Sequence, residues 1–171
     1  MKRYPDMFNN RKKKQQFLAE IERHQEILHS LCRAFFQGEQ DREDARQEIL
    51  YQLWKSYPQF RGEAKFSTWM YKVALNTLQK LGRKKQGKYE TDFKEGKEIW
   101  DNRFDQPAWE NTQLIAFILQ SLSPEDKSLV ILKWEGYSYK EIGEILGVSS
   151  NVIGTRLHRI KKHIQKHMAY V

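Results

Sequence analysis

The segment from residue 139 to residue 162 constrains the fold of this chain more than any other stretch. It reads YKEIGEILGVSSNVIGTRLHRIKK, in which a short amphipathic helix ends at Gly147 and a second, basic helix follows Ser149. Gly143 and Gly147 supply the small residue and the tight corner that two crossing helices need, and Ser149 is placed to cap the second helix. The expected apolar contacts are Ile142, Leu146, Val148 and Ile153. The pattern predicts a helix-turn-helix, whose second helix enters the major groove of DNA.

The second helix has one apolar face and one polar, basic face. The spacing of Ile153, Leu157, Ile160 and Ile164 predicts a buried stripe. Asn and Arg can pair with base edges, while Lys mostly neutralises phosphate. The candidate DNA-binding residues are Ser150, Asn151, Thr155, Arg156, His158, Arg159 and Lys162, with Arg156 on the flank. The alternative is that this basic face is simply solvated.

The composition favours a polyanionic partner. The chain has 171 residues with 30 Lys plus Arg against 22 Asp plus Glu, so its net charge is +8. A merely basic protein would show the same excess. The single cysteine, Cys32, excludes an internal disulfide and a cysteine metal cluster, and its apolar neighbours indicate a small buried hydrophobe.

No signal peptide or membrane span is evident in the sequence. The N-terminus is basic without an apolar stretch, and no apolar run approaches the ~20 residues that a span needs. We therefore expect a cytoplasmic protein without membrane insertion.

Helical periodicity dominates the chain and predicts an all-α protein with two small helical domains joined by a flexible charged linker. Predicted helices cover residues 17–36, 41–57 with Asp41 as N-cap, and 68–81 with Ser67 as cap. Another contains Leu114, Ile115, Ile118 and Leu122, and the next follows the N-cap Ser123. The expected divisions are a basic tail at 1–16, a first domain at 17–81, a linker at 82–110 and a second domain at 111–171.

The helix over residues 41–57 combines a buried stripe with a polar outward side. Ala45, Ile49 and Leu53 form the stripe. A large aromatic residue beside polar groups on an outward side is typical of a protein interface. The candidate interface residues are Asp44, Gln47, Glu48, Tyr51 and Trp54. For Tyr51 and Trp54, burial in the domain's own core is the alternative.

The following segment, FRGEAKFSTWMYKVALN at residues 60–76, interleaves aromatic and basic residues. Aromatic rings can stack on unpaired bases while cations hold the backbone, and a polar group such as Asn76 can read an extruded base. The candidates are Arg61, Gly62, Lys65, Phe66, Trp69, Asn76 and Lys80. Phe66 and Trp69 could instead be core residues.

At this point the chain resembles a known family. The motifs DA-x-QE before a tryptophan, F-R-G-x-A-x-F-S-T-W, and Y-x-E-I-G-E-I-L-G-V-S followed by R-L-H-R are similar to those of bacterial sigma factors of the extracytoplasmic-function group. The resemblance covers about residues 20–81 and 112–167. In that family the first domain binds the clamp of RNA polymerase and the promoter's −10 element. The second domain binds the −35 element and the polymerase flap.

The resemblance implies a specific role for each candidate set. Asp44, Gln47, Glu48, Tyr51 and Trp54 would bind core polymerase. The set from Arg61 to Lys80 would capture a flipped −10 base, and the set from Ser150 to Lys162 would read the −35 duplex. Partners would be core RNA polymerase, promoter DNA and, as a further candidate, an anti-sigma factor. We expect no enzyme activity, catalytic residue, metal or cofactor.

Three positions depart from the family pattern. Many members carry Arg where this chain has Leu75, Asp where it has Lys80, and Lys where it has Gly154. Two rival functions remain at this point. One is a stand-alone helix-turn-helix regulator, which leaves the polar side of the 41–57 helix unexplained. The other is a metal-dependent nuclease, although its acids (Asp41, Glu43, Asp44 and Glu48) point in several directions around one helix.

Overall fold

The structure is a computed structural model that describes residues 11–89 and 118–168. Within those ranges every regular element is helical and none is a strand, which confirms the all-α prediction. The helices are α1 (Arg11–Arg23), α2 (Gln25–Phe35), α3 (Glu39–Ser56), α4 (Phe66–Tyr89), α5 (Pro124–Trp134), α6 (Tyr139–Leu146) and α7 (Ser150–Met168). A 3-10 turn covers Tyr57–Gln59, and residues 118–120 are also helical. None of the helices in the described ranges is long and apolar enough to cross a bilayer.

The first helical module is formed by α1 to α4 around an apolar core. The predicted stripe on α3 is confirmed, since Ala45, Ile49 and Leu53 are almost fully buried. These side chains join α4 residues such as Met70 in one cluster of buried side chains. Cys32 is also buried there, and burial raises the pKa of its thiol to about 11, which confirms its role as a small apolar residue.

The N-terminal part of the first module differs from the prediction. The stretch predicted as a single helix over 17–36 consists of α1 and α2, which are separated at His24. The His24 ring lies 2.8 Å from the carbonyl oxygen of Glu20, at the point where the backbone leaves the helical path. Residues 11–16 of the predicted tail belong to α1 and lie exposed on its first turns. Residues 1–10 lie outside the described ranges.

Two predicted N-caps were wrong. Helix α3 begins at Glu39 after Gly38, so Asp41 lies inside the first turn, where it forms an ion pair with Lys85 of α4. Helix α4 begins at Phe66, which places Ser67 within the helix rather than before it. Asp41 resembled a cap because acids suit both the cap and the first turn of a helix.

Helix α4 also continues to Tyr89, well past the predicted end at Leu81. Its additional turns are held by other elements: Gly82 is buried against Pro124, and Arg83 lies 3.3 Å from the Glu125 carboxylate. The first residues of the predicted linker are therefore helical. The remainder of the predicted linker, from residue 90 onward, lies outside the described ranges.

The second module contains the predicted helix-turn-helix. The hydroxyl of Ser123 accepts a hydrogen bond from the backbone N–H of Asp126, which confirms the predicted cap of α5. Helix α6 ends at Gly147, whose φ of 71° is the left-handed conformation that glycine adopts without strain. Helix α7 begins directly after Ser149. Ile153 and Ile160 are buried as predicted, and Leu157 is partly buried.

The two modules meet along a seam, which we define as the contact of α2 and α4 with α5 and α6. Gln79 donates a hydrogen bond of 2.9 Å to the hydroxyl of Ser128, and the Tyr71 and Tyr137 rings meet edge to face at 5.8 Å. The Lys127 ammonium lies 5.6 Å from the centre of the Phe35 ring. Burial lowers the pKa of Lys127 to about 8, so this part of the seam disfavours its charge.

Candidate nucleic-acid interface

The outward face of α7 is mostly polar and basic, with the exposed Val152 on the same side as Arg159. Of the seven α7 residues predicted to bind DNA, six are exposed, and these are Ser150, Asn151, Thr155, His158, Arg159 and Lys162. The opposite face of α7 is anchored by Ile153 and Ile160 in the core. Because helix residues three and four apart lie on one side, the exposed side chains present a single ridge of the size that a major groove accepts.

Arg156, the seventh residue of that set, is half-buried on the flank of α7. Its guanidinium binds the carboxylate of Asp126 on α5, with 2.9 Å from Nε to Oδ1 and 2.7 Å between Nη2 and Oδ1. Arg159 also reaches Asp126, with its Nη2 at 3.3 Å from Oδ2. Two cations of α7 therefore share one carboxylate of the neighbouring helix.

At Gly154 the surface of α7 lacks a side chain and faces the ring of Tyr139. A Cβ at this position would lie 3.6 Å from Cε2 of Tyr139, which is an ordinary contact. The same ring lies 5.2 Å from the Lys133 ammonium. The aromatic ring thus occupies the side of α7 where a longer side chain at residue 154 would extend.

In the first module, a short basic loop joins the 3-10 turn to α4. Arg61 and Lys65 are exposed, and Gly62 adopts a φ of 75°, so the loop turns sharply between the two cations. Lys80 is exposed further along α4, and Asn76 is partly buried between them. The loop and this side of α4 form the basic surface of the first module, and the charge of Lys65 is close enough to α6 to contribute to the lowered pKa of Glu141.

The aromatic residues beside this loop form a packed cluster. The Phe66 ring lies 5.3 Å from Trp69, 5.8 Å from Phe60 and 5.5 Å from His24. Phe66 is buried, whereas Trp69 is only partly buried. In this arrangement Phe66 supports the loop from beneath, and Trp69 lies at the edge of the cluster.

Helix α3 presents an outward face made of exposed polar and aromatic side chains. Asp44, Gln47 and Tyr51 are exposed on it, while Glu48 and Trp54 are partly buried. The Trp54 ring packs at 5.0 Å from Phe17 of α1, so it belongs partly to the core. Tyr51 remains 56% exposed, and the Lys55 ammonium lies 5.9 Å from the centre of its ring.

The acids of α3 bind separate neighbours. Asp41 pairs with Lys85, Asp44 accepts a hydrogen bond from Gln40, and Glu43 binds Arg46. The hydrogen bond from Arg46 is the main reason that the pKa of Glu43 is lowered. Among the residues that the structure describes, no group of three or more acidic, histidine or cysteine side chains is placed to hold a metal ion.

Sequence reasoning missed two features of the second module. Asp126, the counter-ion of Arg156, lies 30 residues from it in sequence, and no local pattern connects the two. The second feature is the capping box of α6, in which Ser138 and Glu141 bind each other's backbone N–H groups. The S-x-x-E spacing at residues 138–141 was a readable signal for that box.

Comparison with known proteins identifies both modules. A family model described as Sigma-70 region 2 matches residues 21–88, and one described as Sigma-70, region 4 matches residues 112–164. RNA polymerase sigma factor YlaC of Bacillus subtilis is 28% identical over 151 residues, covering 85% of this chain and 87% of the relative. The ECF sigma factor SigW of the same organism is 27% identical, covering 86% of each chain.

Solved structures share the fold. The sigma factor RpoE in complex with the anti-sigma factor NepR, from Bartonella quintana, matches with a TM-score of 0.69 at 20% identity, covering 90% of this chain and 97% of that one. CnrH in complex with the cytosolic domain of CnrY matches with a TM-score of 0.65, also at 20% identity, covering 92% and 90%. The two matched regions occupy both modules described above. The chain therefore belongs to the sigma-70 family of RNA polymerase sigma factors, in its extracytoplasmic-function group, and acts as a promoter-recognising initiation factor rather than as a stand-alone regulator.

Proposed function

We propose that this sigma factor docks on core RNA polymerase through α3 and contacts promoter DNA with two separate surfaces. The observation that carries the proposal is the presence of two exposed basic surfaces on different modules: the outward face of α7 and the loop from Arg61 to Lys65. Each alone would bind DNA modestly. On polymerase the two become one strong interaction through effective concentration.

The six exposed residues of α7 read the −35 element as duplex DNA. Asn151 and Arg159 have side chains able to pair with base edges, and Lys162 is suited to phosphate. This assignment is supported by the buried opposite face of α7, which fixes the outward direction of those side chains. Arg156 contributes from the flank through its contact with Asp126.

The loop of the first module captures an unpaired base of the −10 element. Arg61 and Lys65 hold the backbone of the strand, Gly62 allows it to approach closely, and Trp69 and Asn76 form the wall against which a base would stack and be read. Lys80 extends the positive surface along α4, and Phe66 supports the loop from below. Trapping an open base shifts an existing equilibrium, so strand opening requires no nucleotide hydrolysis.

The polymerase-binding surface is the outward face of α3, with Asp44, Gln47, Glu48, Tyr51 and the edge of Trp54. Its support is the high exposure of Tyr51 next to polar side chains. We propose that the polymerase and −10 domain, predicted at residues 17–81, corresponds to the first module, and that the −35 domain, predicted at residues 111–171, corresponds to the second. We further propose cytoplasmic action without a cofactor, and an anti-sigma factor as a second protein partner.

The seam must open for both DNA elements to be bound together. Positions −10 and −35 are separated by about 25 base pairs, which corresponds to ~85 Å of duplex at 3.4 Å per pair. A compact chain of this length has a radius of gyration of roughly 16 Å and a diameter of about 40 Å. The packed arrangement is therefore too small to span the promoter, and polymerase binding has to compete with the seam.

Reconstituted transcription tests the proposal. Core polymerase with the added protein is expected to initiate at a restricted set of sites, from which the promoter is mapped. Asn151→Ala should lower run-off product severalfold on templates with an intact −35 element and have little effect once that element is altered. Equal loss on every template would contradict the assignment of α7.

The polymerase surface is tested separately by pull-down of core enzyme. Gln47→Ala combined with Tyr51→Ala changes two exposed side chains and leaves the core intact, whereas a change at Trp54 would also remove its contact with Phe17. We expect reduced capture of core polymerase, with Glu39→Gln, an exposed position on the first turn of α3, as the control. Capture at the level of the unchanged protein would exclude this face as the docking surface.

A further inference from the structure

Asp126 connects the first turn of α5 to the middle of α7. Its side chain is 12% exposed, and its Oδ1 accepts from two nitrogen atoms of Arg156, at 2.9 Å and 2.7 Å. Its Oδ2 accepts a longer bond of 3.3 Å from Arg159. One nearly buried carboxylate thus holds two cations that lie one helical turn apart.

The two arginines are held differently. The Arg156 side chain is 25% exposed and has its Nε and Nη2 edge on Asp126, whereas the Arg159 side chain is 69% exposed and has a single longer contact. An arginine reads guanine with two N–H groups at once, and that edge of Arg156 is already occupied. Withdrawing Arg156 would leave a nearly buried carboxylate with only the weaker contact, which is costly. Arg156 therefore remains on Asp126 when DNA binds, while Arg159 keeps donors free.

We propose that Asp126 is a positioning residue for DNA recognition. It fixes Arg156 as a strut between α5 and α7, and it orients the guanidinium of Arg159 toward the DNA. The inference rests on the proposed function, in which the outward face of α7 binds promoter duplex.

The test uses the full chain with Asp126→Asn, and Glu144→Gln on α6 as a control that removes one exposed carboxylate from the same module. Binding to a random-sequence duplex is measured by anisotropy across a salt series. In Asp126→Asn, an arginine released from residue 126 can bind a DNA phosphate. The slope of log affinity against log salt concentration should then steepen by about 0.9. In the holoenzyme, the preference for an intact over an altered −35 element should fall about tenfold, as expected when one base contact is misplaced. The control should show neither change.

Two results would overturn the inference. If Arg156 itself reads a base, Asp126→Asn releases it, and the −35 preference stays the same or rises. If Asp126 only stabilises the module, binding weakens uniformly with an unchanged salt slope. If transcription directed by the protein without substitutions does not depend on the −35 element, the proposed function and this inference are both overturned.

If Asp126→Asn does not fold, a second pair of variants tests the same inference. Arg159→Gln should flatten the salt slope by about 0.9, because it removes a phosphate or base contact. Arg156→Gln should leave the slope unchanged and reduce only the −35 preference. If Arg156→Gln flattens the salt slope and Arg159→Gln does not, Arg156 contacts DNA directly and the inference is overturned.

Discussion

Two glycines of the helix-turn-helix have opposite steric surroundings. A Cβ at Gly143 would lie 2.6 Å from the carbonyl oxygen of Val148, where the backbone of the turn passes α6. A Cβ at Gly154 would only contact the Tyr139 ring at an ordinary distance. Glycine is therefore required by geometry at the first position and is merely tolerated at the second.

Alanine substitutions at these two positions should have opposite effects on stability. Gly154→Ala removes a glycine from a helix interior and should raise the free energy of unfolding by ~0.5–1 kcal/mol. Gly143→Ala forces helix and turn apart and should lower it by about 1–3 kcal/mol. Urea unfolding followed by circular dichroism measures both. Destabilisation by Gly154→Ala, or tolerance of Gly143→Ala, would contradict this account.

At the residue scale, the sequence predicted which side chains face outward better than it predicted which residues they contact. The exposed face of α7 followed from helical periodicity, which depends only on neighbours three and four residues away. The contact between Arg156 and Asp126 joins residues from different helices, so it required the folded arrangement. The same holds for Trp54, whose position between core and surface depends on Phe17.

At the scale of elements, α6 is a helix of eight residues whose ends are both fixed by local interactions. Its N-terminus carries the capping box of Ser138 and Glu141, and its C-terminus closes at Gly147. A helix this short is unstable in isolation, so its caps and its packing must hold it in place. Hydrogen bonds from Ser138 also lower the pKa of the Glu141 carboxyl.

Ser138→Ala should destabilise the second module by about 1 kcal/mol at neutral pH. The sign of the pH dependence follows from Glu141: a lowered pKa means that the folded state favours the ionised form, which contributes stability above the ordinary carboxyl value of 4.5. That contribution is lost as the pH falls through the folded-state pKa. The difference between Ser138→Ala and the unchanged protein should therefore shrink on acidification in thermal unfolding. A difference that stays constant or grows at low pH would exclude the box as its cause.

Element identity could be predicted from the sequence, and several element ends could not. The stripe of Ala45, Ile49 and Leu53 predicted α3 correctly because it repeats locally. The extension of α4 to Tyr89 depends on contacts between modules, and Gly82 read alone suggests a helix end. The break at His24 could likewise not be predicted, because no glycine or proline lies near it in the sequence.

At the scale of the whole molecule, the seam combines close packing with polar contacts. Gly82 lies directly against Pro124, while Gln79 and Arg83 reach Ser128 and Glu125 across it. Buried apolar side chains of both modules also belong to one cluster, so parting the modules would expose apolar surface as well as break these polar contacts. The proposed opening on polymerase therefore requires that binding to polymerase offset this cost.

Gly82→Val tests whether the seam holds the modules together. A Cβ there would lie 2.9 Å from Cγ of Pro124, so a branched side chain should push α4 and α5 apart. We expect the radius of gyration in solution scattering to rise by several Å, while transcription with core polymerase is retained. Lys84→Val, two residues along and exposed, should leave the radius unchanged. An unchanged radius for Gly82→Val would show that the packing in solution does not depend on this contact.

Side chains at the start of α5 contact two different parts of the structure. Glu125, Lys127 and Ser128 face the first module, and Asp126 between them holds the arginines of α7. A substitution in this stretch must satisfy both neighbours simultaneously, so few amino acids will be accepted there during evolution. Apart from Arg159, the residues on the outward face of α7 face no such double demand, so we expect promoter preference to diverge there while this stretch stays as it is.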